Sequence, residues 1–283
     1  MADRHTLVLG GGGMLGRAFV AALTARGQRV LALDRPELEL AAPENVETHV
    51  AEGVQLVVNC AAYTDVDGAE RDEATATRIN GQALAELSSC CARRGALLLS
   101  FGTDYVFSGD GTRPYRVDDA LAPLNAYGRG KALGEQALRD GPADFLLVRT
   151  SWLYAPWGQN FVRTMARLGA ERERLKVVDD QHGRPTSAQY LVERSLALVE
   201  RGARGIFHAT DGGQCSWYQL ASAVIAGLGL DCKVEPCSSA EMPRPAPRPA
   251  YSVLDLSQTE GLIGPSRPWR ENLADVLAQL DAY

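Results

Sequence analysis

The chain alternates short apolar runs with stretches of helical periodicity. Runs typical of buried strands cover residues 5–9, 28–33, 54–59, 96–101 and 145–148. Apolar positions at helical spacing cover residues 14–26, 74–93, 127–139, 160–168 and 188–199. Strands separated by helix-length segments predict an α/β fold of the Rossmann type, with a doubly wound parallel sheet and right-handed crossovers.

The second half of the chain predicts a smaller lobe. Beyond Trp152 the pattern loosens, and 283 residues exceed the usual size of a single core. We expect a dinucleotide-binding domain of residues 1–151 and 184–209, with a C-terminal substrate lobe of residues 152–183 and 210–283. The proline-rich stretch 242–249 cannot be an internal helix or a central strand, and it brings two arginines to this lobe.

A glycine loop follows the first apolar run and precedes the first helix. Its glycines at positions 10, 13 and 16 have a spacing that suits a pyrophosphate. The turn needs positive φ, the backbone must approach the phosphates, and the helix N-terminus offers free N–H groups. Such a loop can also be only a turn, so the prediction of a dinucleotide site needs support from elsewhere in the chain.

Asp34 gives that support at the end of the second apolar run. A carboxylate about twenty residues after the glycine loop can accept hydrogen bonds from an adenosine ribose. Arg35 follows directly, and its guanidinium could hold the 2′-phosphate of NADP while the carboxylate prefers the free hydroxyl of NAD. The residues leave both cofactors open.

Reactive side chains follow the later strands. Ligands of open α/β sheets bind beyond the carboxyl ends of the strands. Thr103 and Asp104 follow the fourth apolar run, while Tyr127 and Lys131 lie four residues apart at the start of a helix and therefore share a face. A hydroxyl, a phenol and an amine in one crevice can pass a proton to a carbonyl while a nicotinamide passes it a hydride. A solvated lysine beside a half-buried tyrosine is the plainer interpretation, and the convergence on one crevice favours the catalytic one.

Composition and charge limit the cellular compartment and the classes of binding partner that we expect. A formal charge of -6 argues against a nucleic-acid protein, and no apolar run approaches the length needed to cross a bilayer. The six cysteines show no paired zinc spacing. We interpret them as reduced thiols and expect a cytoplasmic protein without nucleic-acid or membrane partners.

Specific runs of residues carry a family resemblance over nearly the whole chain. They cover residues 13–16, 58–67, 103–107, 123–128, 149–154 and 160–161, together with Lys131, residues 134–135, residues 179–181 with 185–186, and residues 248–249 with Ser252. With these runs the sequence resembles the extended short-chain dehydrogenase/reductases, and within them the dTDP-4-dehydrorhamnose reductases. The resemblance implies reduction of dTDP-6-deoxy-L-lyxo-4-hexulose to dTDP-L-rhamnose with NADPH or NADH.

The resemblance also implies roles for individual residues. The family's catalytic threonine, tyrosine and lysine fall on Thr103, Tyr127 and Lys131, with Tyr127 as proton donor. The Lys131 ammonium and the nicotinamide cation would lower the pKa of its phenol. Tyr127 and Lys131 also belong to the expected cofactor site, whose other residues are Gly10, Gly13, Met14, Leu15, Gly16, Asp34, Arg35, Glu39, Leu40, Ala61, Ala62, Tyr63, Thr64 and Phe101. The residues expected at the dTDP-sugar are Thr103, Asp104, Phe107, Trp152, Asn160 and Arg248.

Departures from the family pattern keep other hypotheses open. Gly102 stands where the family usually has a serine, and His182, Arg184 and Tyr251 are unusual near the expected sugar site. A reductase of another dTDP-4-keto-6-deoxysugar and a non-catalytic NADP-binding regulatory subunit are the alternatives. The glutamates through which some relatives bind magnesium have no match, so we assign no metal site and expect a monomer or a homodimer.

Overall fold

The strands of the protein form one large sheet and three small ones. The computed structural model describes residues 5–35, 40, 49–50 and 52–280. Its strands are β1 His5–Leu9, β2 Val30–Leu33, β3 Val54–Asn59, β4 Leu97–Thr103, β5 Phe145–Thr150, β6 Leu153–Tyr154, β7 Arg174–Val178, β8 His182–Gly183, β9 Thr186–Ser187, β10 Gly205–His208, β11 Cys215–Ser216 and β12 Lys233–Cys237.

Helices connect these strands. They are α1 Met14–Ala25, α2 Val66–Ala69, α3 Glu73–Thr77, α4 Ala83–Arg94, α5 Ala126–Asp140, α6 Phe161–Glu171, α7 Ala188–Glu200, α8 Trp217–Gly227, α9 Ser257–Ile263 and α10 Trp269–Leu277. Among the described residues, no helix is both long enough and apolar enough to cross a membrane.

The large sheet has the order β10-β5-β4-β3-β1-β2, and all its strands are parallel. This arrangement confirms the predicted Rossmann-type α/β fold. Every residue of β4 is buried, as a central strand covered on both faces requires. The strand also continues two residues beyond its predicted end, so Thr103 lies at the strand terminus itself.

The predicted helix 74–93 is interrupted in the structure. Helix α3 passes into a π-helical turn, Arg78–Gln82, before α4 begins. In this turn the Asn80 side chain is 1% exposed and makes two hydrogen bonds of 2.9 Å to the backbone N–H and C=O of Tyr63. Single π turns occur frequently at functional sites, and this one ties a helix to the loop that follows β3.

The apolar cores follow the two faces of the sheet and a separate C-terminal region. Helices α1 and α7 cover one face, with Phe19 and Leu191 fully buried, and helices α4 and α5 cover the other. A third core joins α6, α8 and α10, and all its buried residues fall within 152–183 and 210–283. The division of the chain into the two predicted domains stays a prediction.

Asp211 lies in a buried polar network at the edge of this third core. It accepts hydrogen bonds from the hydroxyl of Tyr154 at 2.9 Å, the side-chain amide of Asn272 at 2.8 Å and the backbone N–H of Ser187. Burial raises the pKa of its carboxyl to about 7 against these donors. The network fixes the start of α7 to α10.

Candidate active site

The carboxyl ends of the sheet strands open into a cleft of about 850 Å³. Expected site residues on its wall are Gly10, Gly13, Met14, Leu15, Asp34, Arg35, Leu40, Ala61, Ala62, Tyr63, Thr64, Phe101, Thr103, Asp104, Tyr127, Lys131 and Trp152. The structure therefore brings together nearly all the predicted cofactor residues and the whole catalytic set. Glu39 lies outside the described residues.

The glycine loop is shaped by close backbone approach. Gly10 has φ +75°, and a Cβ there would lie 2.8 Å from the backbone nitrogen of Ala61. A Cβ on Gly16 would lie 2.0 Å from the carbonyl oxygen of Gly10, so Gly16 is required for packing of α1 against the loop and does not line the cleft. These constraints leave a tight turn with the α1 N-terminus directed to the cleft, a cradle suited to a pyrophosphate.

Asp34 braces the same loop from the end of β2. One oxygen of its half-buried carboxylate accepts a hydrogen bond of 2.6 Å from the backbone N–H of Gly12. Arg35 lies beside it with an exposed side chain, also on the cleft wall. Both groups that could read the adenosine ribose are therefore present at the place that the sequence predicts.

The loop after β3 continues the cleft wall beside the glycine loop. Ala61 and Ala62 present only small side chains, which allows a planar ligand to approach the backbone. The Tyr63 peptide, clamped by Asn80, continues this wall. The position of these residues agrees with their expected place at a cofactor.

The N-terminus of α5 brings Tyr127 to Thr103. The Asn125 side chain caps the helix by accepting from the backbone N–H of Gly128 at 2.8 Å. A Cβ on Gly128 would lie 2.2 Å from the carbonyl oxygen of Tyr105, so only glycine lets the helix pack this closely on the turn after β4. As a result, the phenol of Tyr127 lies close enough to the Thr103 hydroxyl for the hydroxyl to influence its titration.

Tyr127 is held in the protonated form. Burial raises the pKa of its phenol to about 12, Asp104 adds to the rise, and a hydrogen bond with Thr103 opposes it. The sequence predicts that the Lys131 ammonium and a bound nicotinamide cation together lower this pKa, whereas in the structure burial outweighs the hydrogen bond with Thr103. A neutral phenol is the state that can donate a proton.

Lys131 is anchored to the sheet. Its Nζ donates a hydrogen bond of 2.7 Å to the carbonyl oxygen of Phe101 in β4. Burial lowers the pKa of the ammonium to about 8, and the negative charge of Glu135 partly offsets that effect. At neutral pH the group is therefore charged, and its remaining donors are available to a ligand in the cleft.

Asp104 has an unpaired carboxylate oxygen. The residue is 2% exposed and accepts from the Thr103 hydroxyl at 3.1 Å through Oδ1, while Oδ2 is buried without a hydrogen-bond partner. Burial raises the pKa of the carboxyl to about 7, against a lowering influence of the Ser252 hydroxyl. Because a buried polar atom is usually paired, the free oxygen is a ready acceptor for a substrate hydroxyl.

Three residues expected at the dTDP-sugar do not line the cleft. Phe107 is 1% exposed and stacks on Tyr115 at 4.5 Å between ring centroids, so the structure places it in a core and not on the cleft wall. Asn160 uses its amide to cap α6 and to bond the carbonyl groups of residues 155 and 157. Arg248 donates to Asp67 at 2.9 Å and is half-buried in the proline-rich segment, whose lack of helix and strand confirms the sequence prediction.

Of the residues that depart from the family pattern, one lines the cleft and three do not. Gly102 lines the cleft above a buried ion pair, in which Arg149 and Glu135 are 2.7 Å apart, and a Cβ on Gly102 would lie 2.9 Å from Cγ of Arg149. The three unusual residues His182, Arg184 and Tyr251 lie on and beside β8 and do not line the cleft.

Several cleft residues were not predicted. They are Gly12, Cys60, Val66, Ile79, Gly102, Tyr105, Thr150, Ser151, Leu153, Gly158, Gln159 and Trp217. Most adjoin residues that were predicted, and reading each motif two residues further would have found them. No local sequence signal points to Trp217, because it begins α8 in the C-terminal region, far along the chain from the other cleft residues.

Comparison with known proteins agrees with this geometry. The model of the family described as the RmlD substrate binding domain matches residues 4–282. A dTDP-4-dehydrorhamnose reductase from Streptomyces griseus is 43% identical over 278 residues, which cover 95% of this chain and 91% of that protein. The chain belongs to the dTDP-4-dehydrorhamnose reductase family.

Two further relatives of this reductase family bear on the site. A dTDP-4-keto-6-deoxy-D-glucose reductase from Streptomyces niveus is 41% identical over 287 residues, covering 100% of this chain and 99% of that protein. A crystal structure of dTDP-4-dehydrorhamnose reductase from Bacillus anthracis in complex with NADP superimposes with a TM-score of 0.94 at 33% identity. It covers 99% of this chain and 100% of that chain.

Proposed function

We propose that this protein reduces the C4 ketone of dTDP-6-deoxy-L-lyxo-4-hexulose to dTDP-L-rhamnose with NADPH or NADH. The observation that carries the proposal is the meeting of Thr103, Tyr127 and Lys131 in one cleft with the glycine loop and Asp34. Its support from outside is membership of a family whose members include a dTDP-4-dehydrorhamnose reductase with NADP bound.

The residues present fit a nicotinamide dinucleotide. Gly10 and Gly13 leave space at the α1 N-terminus for the pyrophosphate, Asp34 and Arg35 face the adenosine end, and Lys131 offers its ammonium to the nicotinamide ribose. The bound cofactor supplies a hydride to the carbonyl carbon. The protein's own contribution is to hold that carbon beside the nicotinamide and to supply the proton.

Tyr127 gives the proton to the C4 oxygen. Its raised pKa keeps the phenol protonated before the reaction. The Thr103 hydroxyl, which in this structure donates to Asp104, would turn from that carboxylate to donate a second hydrogen bond to the same oxygen. Once Tyr127 becomes a phenolate, the ammonium of Lys131 on the same face of α5 stabilises the negative charge.

Asp104 and Trp152 bind the sugar in this scheme. The unpaired Oδ2 of Asp104 accepts from a hydroxyl of the hexose, and the indole of Trp152 covers a face of the ring. Arg248 would have to leave Asp67 in order to reach the diphosphate, because in this structure it is committed to that carboxylate. Phe107 and Asn160 take no part in binding.

The test is cofactor oxidation with the dTDP-4-keto-L-hexulose generated in situ. Both NADPH and NADH are followed by absorbance, with and without the sugar nucleotide. Turnover that depends on the sugar nucleotide supports the proposal. Absence of turnover with either cofactor would overturn it.

A second candidate function keeps the chemistry and changes the sugar. The relative from Streptomyces niveus, named for the reduction of dTDP-4-keto-6-deoxy-D-glucose, is nearly as similar as the rhamnose reductases. Competition between the two 4-keto sugars at equal concentration decides between them, since the preferred substrate has the higher kcat/KM. The regulatory-subunit hypothesis is less well supported, because the threonine, tyrosine and lysine are all retained.

The partners and the location follow from the same proposal. The dTDP-sugar and the nicotinamide cofactor are the ligands, and we place the enzyme in the cytoplasm as a monomer or homodimer. Gel filtration with light scattering measures the assembly, and a tetramer would contradict this part of the proposal.

A further inference from the structure

Two indole rings are stacked on the wall of the cleft. The ring centroids of Trp152 and Trp217 are 3.6 Å apart and the ring planes differ by 12°, and both residues line the cleft. The sequence gives no reason to pair them, because one follows β5 and the other begins α8. A parallel stack of this kind fixes the orientation of both rings.

Trp152 occupies a built slot. With φ 47° it is the sole non-glycine residue of positive φ in the part of the chain that the structure describes. Gly183 lies at the ring edge, where a Cβ would be 2.6 Å from Cε2 and 2.8 Å from Nε1 of the indole. An unfavourable backbone conformation and a position reserved for glycine both serve to hold this ring, which is typical of functional sites.

Trp217 is held by its own supports. The residues before it, Cys215 and Ser216, pair antiparallel with β8, so the strand that carries Gly183 also positions the start of α8. Ser216 and Gln219 form a capping box around the first turn of that helix, and the Phe161 ring contacts Trp217 at 4.6 Å. The position of Trp217 therefore does not depend on Trp152.

The chemistry of a stacked aromatic wall suits a deoxyhexose. A 6-deoxy sugar has a methyl group and C–H faces with which an indole packs, while its hydroxyls need polar partners such as Asp104. Such a wall contributes little to the binding of the diphosphate, which is charged. It also excludes water beside the carbonyl.

We propose that Trp217 is a positioning residue for the sugar: by stacking on Trp152 it fixes the indole that covers the deoxyhexose ring. This inference rests on the proposed function. No direct contact between Trp217 and the reacting atoms is needed, because Trp217 acts through the orientation of Trp152.

The experiment compares Trp217→Leu and Trp217→Phe with wild type. The ligands are dTDP-L-rhamnose, dTDP and NADPH, with dissociation constants from calorimetry, and near-UV circular dichroism reports the stacked indoles. Trp269→Phe is the matched control, since Trp269 belongs to the same C-terminal core, is buried and does not line the cleft. It controls for loss of one indole from that core.

We expect Trp217→Leu to raise the dissociation constant of dTDP-L-rhamnose by about tenfold and that of dTDP by less than about twofold. The dissociation constant of NADPH should be unchanged. Trp217→Phe keeps an aromatic face and should raise the dissociation constant of dTDP-L-rhamnose by about threefold. If Trp217→Leu does not fold, the selective loss in Trp217→Phe carries the test. Both Trp217 variants should lose the dichroic signal of the pair, and Trp269→Phe should keep it.

Unchanged dTDP-L-rhamnose affinity in a folded Trp217 variant would overturn the inference, as would an equal loss for dTDP and dTDP-L-rhamnose. These results are distinct from failure of the proposed function. In that case the wild-type protein itself would neither bind dTDP-L-rhamnose nor reduce the 4-keto sugar.

Discussion

The Nζ of Lys131 donates a hydrogen bond of 2.7 Å to the carbonyl oxygen of Phe101, so the ammonium is held against β4 at the floor of the cleft. The bond orients a charge whose pKa burial has lowered to about 8. The charge is therefore present at neutral pH and is lost in mild alkali, a range in which enzyme assays are practical.

The pH dependence of activity should reflect this lysine. Above about pH 8 the ammonium loses its proton, and kcat/KM for NADPH should fall by about tenfold per pH unit. The pKa of Tyr127, about 12, lies too high to cause this decline. Lys131→Gln should have a low kcat/KM without the alkaline decline. A profile that is flat to about pH 10 in wild type would contradict the role of Lys131.

Tyr127→Phe should lower kcat by about 10² or more and leave the dissociation constant of NADPH nearly unchanged. The change removes the proton donor and little contact area. Tyr105→Phe is the matched control, because this variant also loses a phenol hydroxyl in the cleft. The ring of Tyr105 meets that of Tyr127 edge to face, with 6.1 Å between the ring centroids. Its kcat should fall by less than about tenfold. Equal losses in the two variants would exclude Tyr127 as the specific acid.

Arg35→Ala should weaken the binding of NADPH more than that of NADH, because in the proposed cofactor site the guanidinium on the cleft wall would bind the 2′-phosphate. We expect a loss of about tenfold for NADPH and less than about twofold for NADH. Arg17→Ala is the control, since Arg17 lies on α1 and does not line the cleft. The ratio of kcat/KM for the two cofactors measures the effect. Equal weakening of both would remove Arg35 from 2′-phosphate recognition.

Asp104→Asn should stabilise the protein above neutral pH and weaken the binding of the sugar nucleotide. The pKa of Asp104 is raised to about 7 in the fold, so the protonated acid contributes stability at low pH, and this contribution is lost as the pH rises through about 7. Asparagine mimics the protonated acid. Its gain in free energy of unfolding should be on the order of 1 to 3 kcal/mol at about pH 8 and vanish near about pH 4.

Urea denaturation at the two pH values measures this difference. Asp211→Asn is the contrasting variant, since the Asp211 carboxylate also has a pKa of about 7 but accepts from three donors. In Asp211→Asn the side-chain NH₂ group, a hydrogen-bond donor, would face groups that are themselves donors. The variant should therefore be less stable at both pH values. A loss of stability at about pH 8 in Asp104→Asn would contradict the unpaired state of Oδ2.

The fold and the cofactor wall were predictable because their signals are local. Apolar runs fix the parallel strands, and residues just beyond them, such as Asp34 and Thr103, must meet at one edge of the sheet. Helical spacing places Tyr127 and Lys131 on one face, and their convergence with the strand ends on one crevice favours the catalytic interpretation. These predictions needed no knowledge of how distant segments pack.

The errors and omissions concern packing between distant segments. Phe107 stands two residues after the cleft residue Tyr105, but its ring turns into a core with Tyr115, which no local pattern reveals. Trp217 reaches the cleft because β8 and β11 pair, and the sequence does not specify that pairing. The raised pKa of Tyr127 likewise depends on burial, to which the charge of Asp104 adds and which the hydrogen bond with Thr103 offsets only in part.

The central claim is hydride transfer to C4 of a dTDP-linked deoxyhexose with the proton from Tyr127. The most direct test is a single reaction with NADPH deuterated at the transferring position and the dTDP-4-keto-L-hexulose, followed by NMR of the product. The account predicts dTDP-L-rhamnose with deuterium at C4 only. Deuterium at another carbon, a product epimeric at C4, or unlabelled product would contradict it.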